Sequence, residues 1–231
     1  MKARANWTLF RTGIVRRSQE FDGLPEPVDS RRLSSPGPNP DRILMLGGGI
    51  IVGTGVMSHD LGIGGHLGRA LTAITERGAQ VEVVPVPGVS ISDIDSYLLE
   101  RPLPSFDAVV IAVGINDAII GTSPERWGAM LRHLLEVALA ELGPAAVIHL
   151  LEIADPSKSP LFRPRLARRV ARRVGSLNAI SATVIAEHPR ATLLRFDFDG
   201  AHQQASLYDS RTYRRWAEQL APAIADRLTS T

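Results

Sequence analysis

The sequence predicts an α/β fold: a five-stranded parallel sheet with helices on both faces. Three observations predict it. First, short runs such as Ile43–Leu46 and the centre of Asp107–Val113 are apolar throughout, with no alternation. Such runs suit strands buried on both faces. Second, strand and helix patterns alternate five times, which joins parallel strands by right-handed crossovers. Third, glycine turns follow three of the strands directly, at Gly47-Gly48-Gly49, Pro87-Gly88 and Gly114. In open α/β sheets, ligands bind at the carboxyl ends of the strands.

The elements follow in order. Residues 1–41 carry Pro25, Pro27, Pro36, Pro38 and Pro40 and little apolar periodicity, so they read as an extended arm before a domain at 42–231. Ile43–Leu46 is the first strand. Leu67, Leu71 and Ile74 mark a helix over Gly65–Arg77, with Gly78 as its C-cap. Val81–Val86 is the second strand, closed by Pro87-Gly88. Ser92-Asp93 starts a short helix to Leu99. Asp107–Val113 is the third strand. Thr122-Ser123-Pro124-Glu125 opens a helix to Leu142 with a hydroxyl cap, an early proline and an acid. Ala146–Ile153 is the fourth strand, Arg163–Ala186 a long helix, Ala191–Phe198 the fifth strand and Arg211–Leu228 the last helix. No internal repeat or second domain is visible.

Composition excludes several classes. The 231 residues are 44% apolar and 22% charged, ordinary for a globular domain of this size. No cysteine is present, which removes disulfides, thiolate metal sites and cysteine nucleophiles. No apolar run approaches the roughly 20 residues of a membrane span. Arg11 and Arg16-Arg17 interrupt and close the N-terminal apolar stretch, so a secretory signal is not expected and the protein reads as cytoplasmic. The net charge of +2 makes no case for nucleic acid.

The backbone N–H groups of Gly49 and Gly88 and the side-chain amide of Asn116 lie at three strand ends. Three donors aimed at one point form an oxyanion hole. Taken singly, each is a plain turn or cap residue. Six arginines punctuate Arg163–Arg173, and Arg165, Arg168, Arg169, Arg172 and Arg173 suggest either a solvated face or a docking surface for an acidic partner. No aromatics interleave them, which disfavours a single-strand nucleic-acid platform.

On these motifs, over about Arg42 to Ile224, the chain resembles the SGNH (GDSL-type) hydrolase family. Gly47-Gly48-Gly49 occupies the place of the family's Gly-Asp-Ser turn. Gly88 matches its second-block glycine, and Gly114-Ile115-Asn116-Asp117 its Gly-x-Asn-Asp block. Tyr213-Arg214-Arg215-Trp216-Ala217 resembles the helix after its Asp-x-x-His block. The resemblance implies a flavodoxin-like three-layer sandwich and a family that hydrolyses or transfers acyl esters through serine.

The departures bear directly on function. The nucleophile position holds Gly49, which has no hydroxyl, so no acyl-enzyme forms there. Family spacing back from Tyr213 places the acid at Gln204 and the base at Leu207. Asp199-Gly200-Ala201-His202 does spell Asp-x-x-His, five residues early. Either an insertion brings Asp199 and His202 to the site, or the match is accidental. Ser58 beside His59 and Asp60 is no triad, because neighbouring side chains diverge, and Ser90 reads as a turn hydroxyl. His59, His66, Asp199 and His202 have no recognisable metal spacing. No cofactor or metal is expected.

Three functions follow as expectations. One is a catalytically degenerate SGNH-like protein whose oxyanion-type pocket takes a small acyl, ester or carboxylate ligand, or serves a partner. Another is an esterase in which Asp199 and His202 activate a water. The last is an interaction module built on the arginine helix.

Overall fold

The structure is a computed structural model and describes residues 24–158, 164–195 and 209–229. Among these residues six strands form one sheet: β1 (Arg32–Ser35), β2 (Asp41–Gly47), β3 (Ala79–Pro85), β4 (Ala108–Ala112), β5 (Val147–Leu151) and β6 (Ala191–Leu194). Their order across the sheet is β1-β3-β2-β4-β5-β6. All neighbours pair in parallel except β1, which runs antiparallel to β3. The helices are α1 (Ile63–Thr75), α2 (Ile94–Leu99), α3 (Ile115–Ile120), α4 (Pro124–Glu141), α5 (Pro164–Ala186) and α6 (Ser210–Thr229). This is the three-layer α/β sandwich the sequence predicts.

The sheet has six strands rather than five. β1 comes from the stretch read as an extended arm, where one apolar residue, Leu33, gives too little pattern to mark a strand. It covers the outer edge of β3, whose unpaired backbone groups would otherwise be open.

Alternation along the strands divides two cores. Ile43, Met45, Val81, Val83 and Val110 pack with Leu67 and Leu71 of α1 and Trp216 and Leu220 of α6. Leu44, Leu46, Val109, Ile111 and Ile148 face the other way, onto Trp127 and Leu131 of α4 and Val170 and Leu177 of α5. His149 is a polar exception, fully buried on β5, and neither ring nitrogen has a partner among the described residues. Burial pushes its pKa down to about 4, so it sits in the core as neutral imidazole.

Several boundaries differ from expectation for identifiable reasons. α1 ends at Glu76 in the left-handed region, not at Gly78. Gly78 instead lets two chain segments meet, since a Cβ there would lie 2.7 Å from the Gly37 carbonyl oxygen. Asp93 is the N-cap residue of α2 but makes no cap bond; its carboxylate accepts from Ser90 Oγ at 2.9 Å. α3 is a short helix absent from the sequence reading. α4, by contrast, starts as its sequence predicts, with Ser123 Oγ accepting from the Arg126 N–H at 3.2 Å and Pro124 in the first turn.

The crossovers put the N-termini of α1, α3 and α5 at the carboxyl end of the sheet. Everything that follows is built at that end.

Candidate functional site

The turn after β2 is shaped by its first glycine. Gly47 has φ +137°, and a Cβ there would overlap the Ala112 carbonyl of β4. Only glycine allows that approach. Gly48 N–H then donates to Ala112 O at 2.9 Å, and Val86 N–H donates to Gly47 O at 2.8 Å. A Cβ on Gly48 would lie 3.5 Å from Val86 O. The first turn is therefore locked between the ends of β3 and β4.

The second turn, Val86–Val89, passes through Gly88 at φ +76°. The third turn holds it in place. Asn116 Nδ2 donates to Val89 O at 2.9 Å, and Ile91 N–H donates to Asp117 Oδ2 at 3.1 Å. Thr122 Oγ1 donates to Asp117 Oδ1 at 3.1 Å. Gly114, at φ +118°, starts this turn; a Cβ there would lie 2.8 Å from the Trp127 ring. The three glycine-bearing turns thus form one hydrogen-bonded unit.

Within it, Gly49 is solvent-exposed, Gly88 is half-buried and Asn116 is buried. Gly49 begins a short 3-10 turn, Gly49–Ile51, and a Cβ on it would meet nothing within 4 Å among the described residues. Among the described residues, no acceptor takes the Gly49 or Gly88 N–H. Asn116 commits one amide hydrogen to Val89 and keeps the other. Asp117 is 2% exposed, and desolvation pushes its pKa up to about 6 despite its two donors.

Two histidine networks lie at the same end of the sheet, and the sequence reading found neither pairing. Asp29 Oδ1 accepts from the His59 backbone N–H at 2.9 Å and meets His59 Nδ1 at 2.8 Å. The backbone N–H holds the Asp29 carboxyl below its usual value, with the imidazole helping. A carboxylate has only acceptors, so Nδ1 carries the proton and Nε2 is the lone-pair nitrogen. That Nε2 is buried and has no partner among the described residues.

His66 is arranged the opposite way. Its Nδ1 lies 3.1 Å from Arg69 Nη2, and guanidinium offers donors only. The proton is therefore on Nε2, which donates to Ser210 Oγ at 2.8 Å. Desolvation and Arg69 lower the pKa of His66. Ser210 beside His66 looks like a nucleophile with its base, but an imidazole that already donates to the hydroxyl has no lone pair left there to take its proton. The pair is a tie between α1 and α6.

The serine alternatives are accounted for. Ser58 accepts from the Leu61 N–H, His59 pairs with Asp29, and Asp60 pairs with Arg69 at 2.7 Å, so the three neighbours diverge. Ser90 is buried in bonds to Ser92 and Asp93. Asp199 and His202 lie outside the described residues. Among the described residues, no group of three His, Asp or Glu side chains is placed to hold a metal ion. Of the helical arginines, Arg165, Arg168, Arg169 and Arg172 are exposed. Arg173 turns inward, and its Nη1 donates to the carbonyls of Ala118 at 3.1 Å and Ile119 at 3.3 Å, capping α3.

The Asp29 pairing had no local signal, since 30 residues and an irregular stretch separate it from His59. His66 and Ser210 are 144 residues apart.

No protein-family model matches the chain, and no curated protein does either. Solved structures do. A lipase/acylhydrolase from Enterococcus faecalis is similar at 20% identity and TM-score 0.58, over 81% of this chain and 96% of that one. The lipase Lip_vut3 from a goat rumen metagenome is similar at 16% identity and TM-score 0.59, over 81% and 99%. A member of the lipolytic protein G-D-S-L family from Veillonella parvula is similar at 17% identity and TM-score 0.53, over 77% and 94%. The chain shares the fold of these lipolytic proteins along nearly their whole length. No described helix is long and apolar enough to cross a membrane.

Proposed function

We propose that this chain is a divergent SGNH-fold protein that keeps an oxyanion-type cradle and has lost serine catalysis. The Gly49 N–H, the Gly88 N–H and the free amide hydrogen of Asn116 bind an oxygen of a small acyl, ester or carboxylate ligand. One observation carries the reading. At the position where a hydroxyl would attack there is Gly49, an exposed backbone donor with open space above it. Donors without a nucleophile bind and polarise an acyl group but form no covalent bond to it. The protein is expected in the cytoplasm.

The test uses purified protein with short-chain carboxylates and aryl esters. Carboxylate binding is expected by calorimetry, weakened about tenfold by Asn116→Ala, which corresponds to about 1.4 kcal/mol. Aryl-ester turnover is expected to stay at background. Robust turnover abolished by His202→Ala overturns the reading in favour of a water activated by Asp199 and His202.

A further inference from the structure

The first half of α5 gathers four exposed arginines on one face of a helix. On other elements, Arg42 pairs with Asp107, Arg69 with Asp60 and Arg132 with Glu187. Among the described residues, Arg165, Arg168, Arg169 and Arg172 have no side-chain hydrogen bond or ion pair. Their spacing of three, four and seven residues stacks them in one stripe about 10 Å long. The helix contains no acid from Pro164 to Ala186 and none in its first turn. Cations at a helix N-terminus face the positive end of the macrodipole, and like charges at this spacing repel. Among the described residues these two local penalties have no compensating acid, a pattern expected at functional surfaces.

The stripe is rigidly displayed. Ala167, Val170, Val174 and Leu177 bury the opposite face. Asn178 bonds both the N–H and the carbonyl of Ile153 at the end of β5, and Arg173 fixes α5 to α3. Because α5 follows β5, the arginines stand at the carboxyl end of the sheet, the end that bears the glycine turns.

We propose that this stripe docks an acidic helix of a partner protein. Charge complementarity requires an anion, and guanidinium groups suit carboxylates in bidentate geometry. Carboxylates on a facing helix at the same three-, four- and seven-residue spacing match the stripe over its length. Nucleic acid fits less well. The stripe holds no aromatic for base stacking, and the chain's net charge of +2 provides no wide basic field. An anionic membrane fits less well too, because among the described side chains no large apolar one is exposed between the arginines to enter the bilayer. The inference does not depend on the cradle, and its partner would sit beside it.

The test measures binding of the full chain to a labelled helical peptide carrying glutamates at positions i, i+3, i+4 and i+7. A matched glutamine peptide, a thymidine oligonucleotide and phosphatidylserine vesicles serve as competitors. The expected result is salt-sensitive binding of the glutamate peptide, weakened at least about tenfold by Arg168→Glu with Arg172→Glu. Arg31→Glu, on the opposite sheet edge, should leave it unchanged. Circular dichroism of each variant shows whether the fold is kept; Arg168→Gln with Arg172→Gln replaces any variant that fails it. The proposal is overturned if the glutamine peptide binds equally well, if neither double variant weakens binding, or if the oligonucleotide or vesicles bind more tightly.

Discussion

The turns that end β2 and β4 start alike and then part. Each opens on a glycine whose positive φ and crowded surroundings exclude any other residue, Gly47 against Ala112 and Gly114 against Trp127 and Ile153. After that, the β4 turn carries side chains and spends them. Asn116 holds Val89, and Asp117 holds Ile91 and Thr122. The β2 turn carries no polar side chain, and at Gly49 it meets open space. The difference teaches how unequally two similar turns are tied into one fold. The polar β4 turn is fastened to the Val89–Ile91 loop and to Thr122. The β2 turn is held through its backbone alone, and among the described residues nothing rests on the Cβ position of Gly49.

The opening glycines should give the largest effect. Gly47→Ala forces a side chain onto backbone and should cost about 4 kcal/mol, combining strain with overpacking. Gly114→Ala meets the side chains of Ile153 and Trp127 rather than backbone, which gives less readily, and should cost less. Urea unfolding of both variants measures this. Equal, small losses would mean that the two turns are not pinned as described.

The sheet was legible because buried strands leave uninterrupted apolar runs and the crossover helices leave periodic ones. The glycine turns were legible because their backbone constraints are written in residue type. What escaped was whatever depends on distant partners. β1 had one apolar residue to show, and α3 was hidden inside a motif read as a turn. Asp29–His59 and His66–Ser210 join segments with no shared pattern. The inward bend of Arg173 depends on α3 offering carbonyls. No sequence pattern separates it from Arg172.

Asp117 provides the next effect, through pH. Its folded pKa is raised to about 6 from an unfolded value of 3.8. The folded state therefore binds the proton more tightly, and stability falls as pH rises from about 4 to 6, by about 3 kcal/mol in total. His149 acts in the other direction. Its folded pKa is lowered to about 4 from 6.5, so its contribution is complete above about 6.5 and is lost as pH falls. The two slopes offset each other across the shared window. Asp117→Asn keeps both partners, since its oxygen can accept from Ile91 and its amide can donate to Thr122. It should be at least as stable as wild type at neutral pH and should expose the His149 slope on acidification. His149→Leu should reveal the opposite slope. Unfolding free energies between about pH 4 and 7 decide it; parallel profiles for the two variants would refute both assignments.

Asn116→Ala tests how far the β4 turn is structural. It leaves the buried Val89 carbonyl without its donor, at about 1–3 kcal/mol. The loss should appear as lower stability together with weaker carboxylate binding. Weaker binding with unchanged stability would mean that the amide serves the ligand alone.

The smallest stability effect, and the sharpest question, belongs to Gly49→Ser. The new Cβ meets no atom of the described residues, so the cost comes from the left-handed backbone at φ +56°, about 1–2 kcal/mol. The variant should fold and should present a hydroxyl at the turn that the proposed cradle uses. A serine hydroxyl still needs a base to remove its proton. His66 cannot supply one, because its lone pair faces Arg69, and His59 Nε2 is enclosed. The expected outcome is therefore a folded protein that a fluorophosphonate does not label. Labelling that disappears in the Gly49→Ser/His202→Ala double variant would show that Asp199 and His202 do reach the turn. A hydroxyl at residue 49 would then be the one part needed to complete a catalytic site, and the contrast between the two turns would come down to one residue.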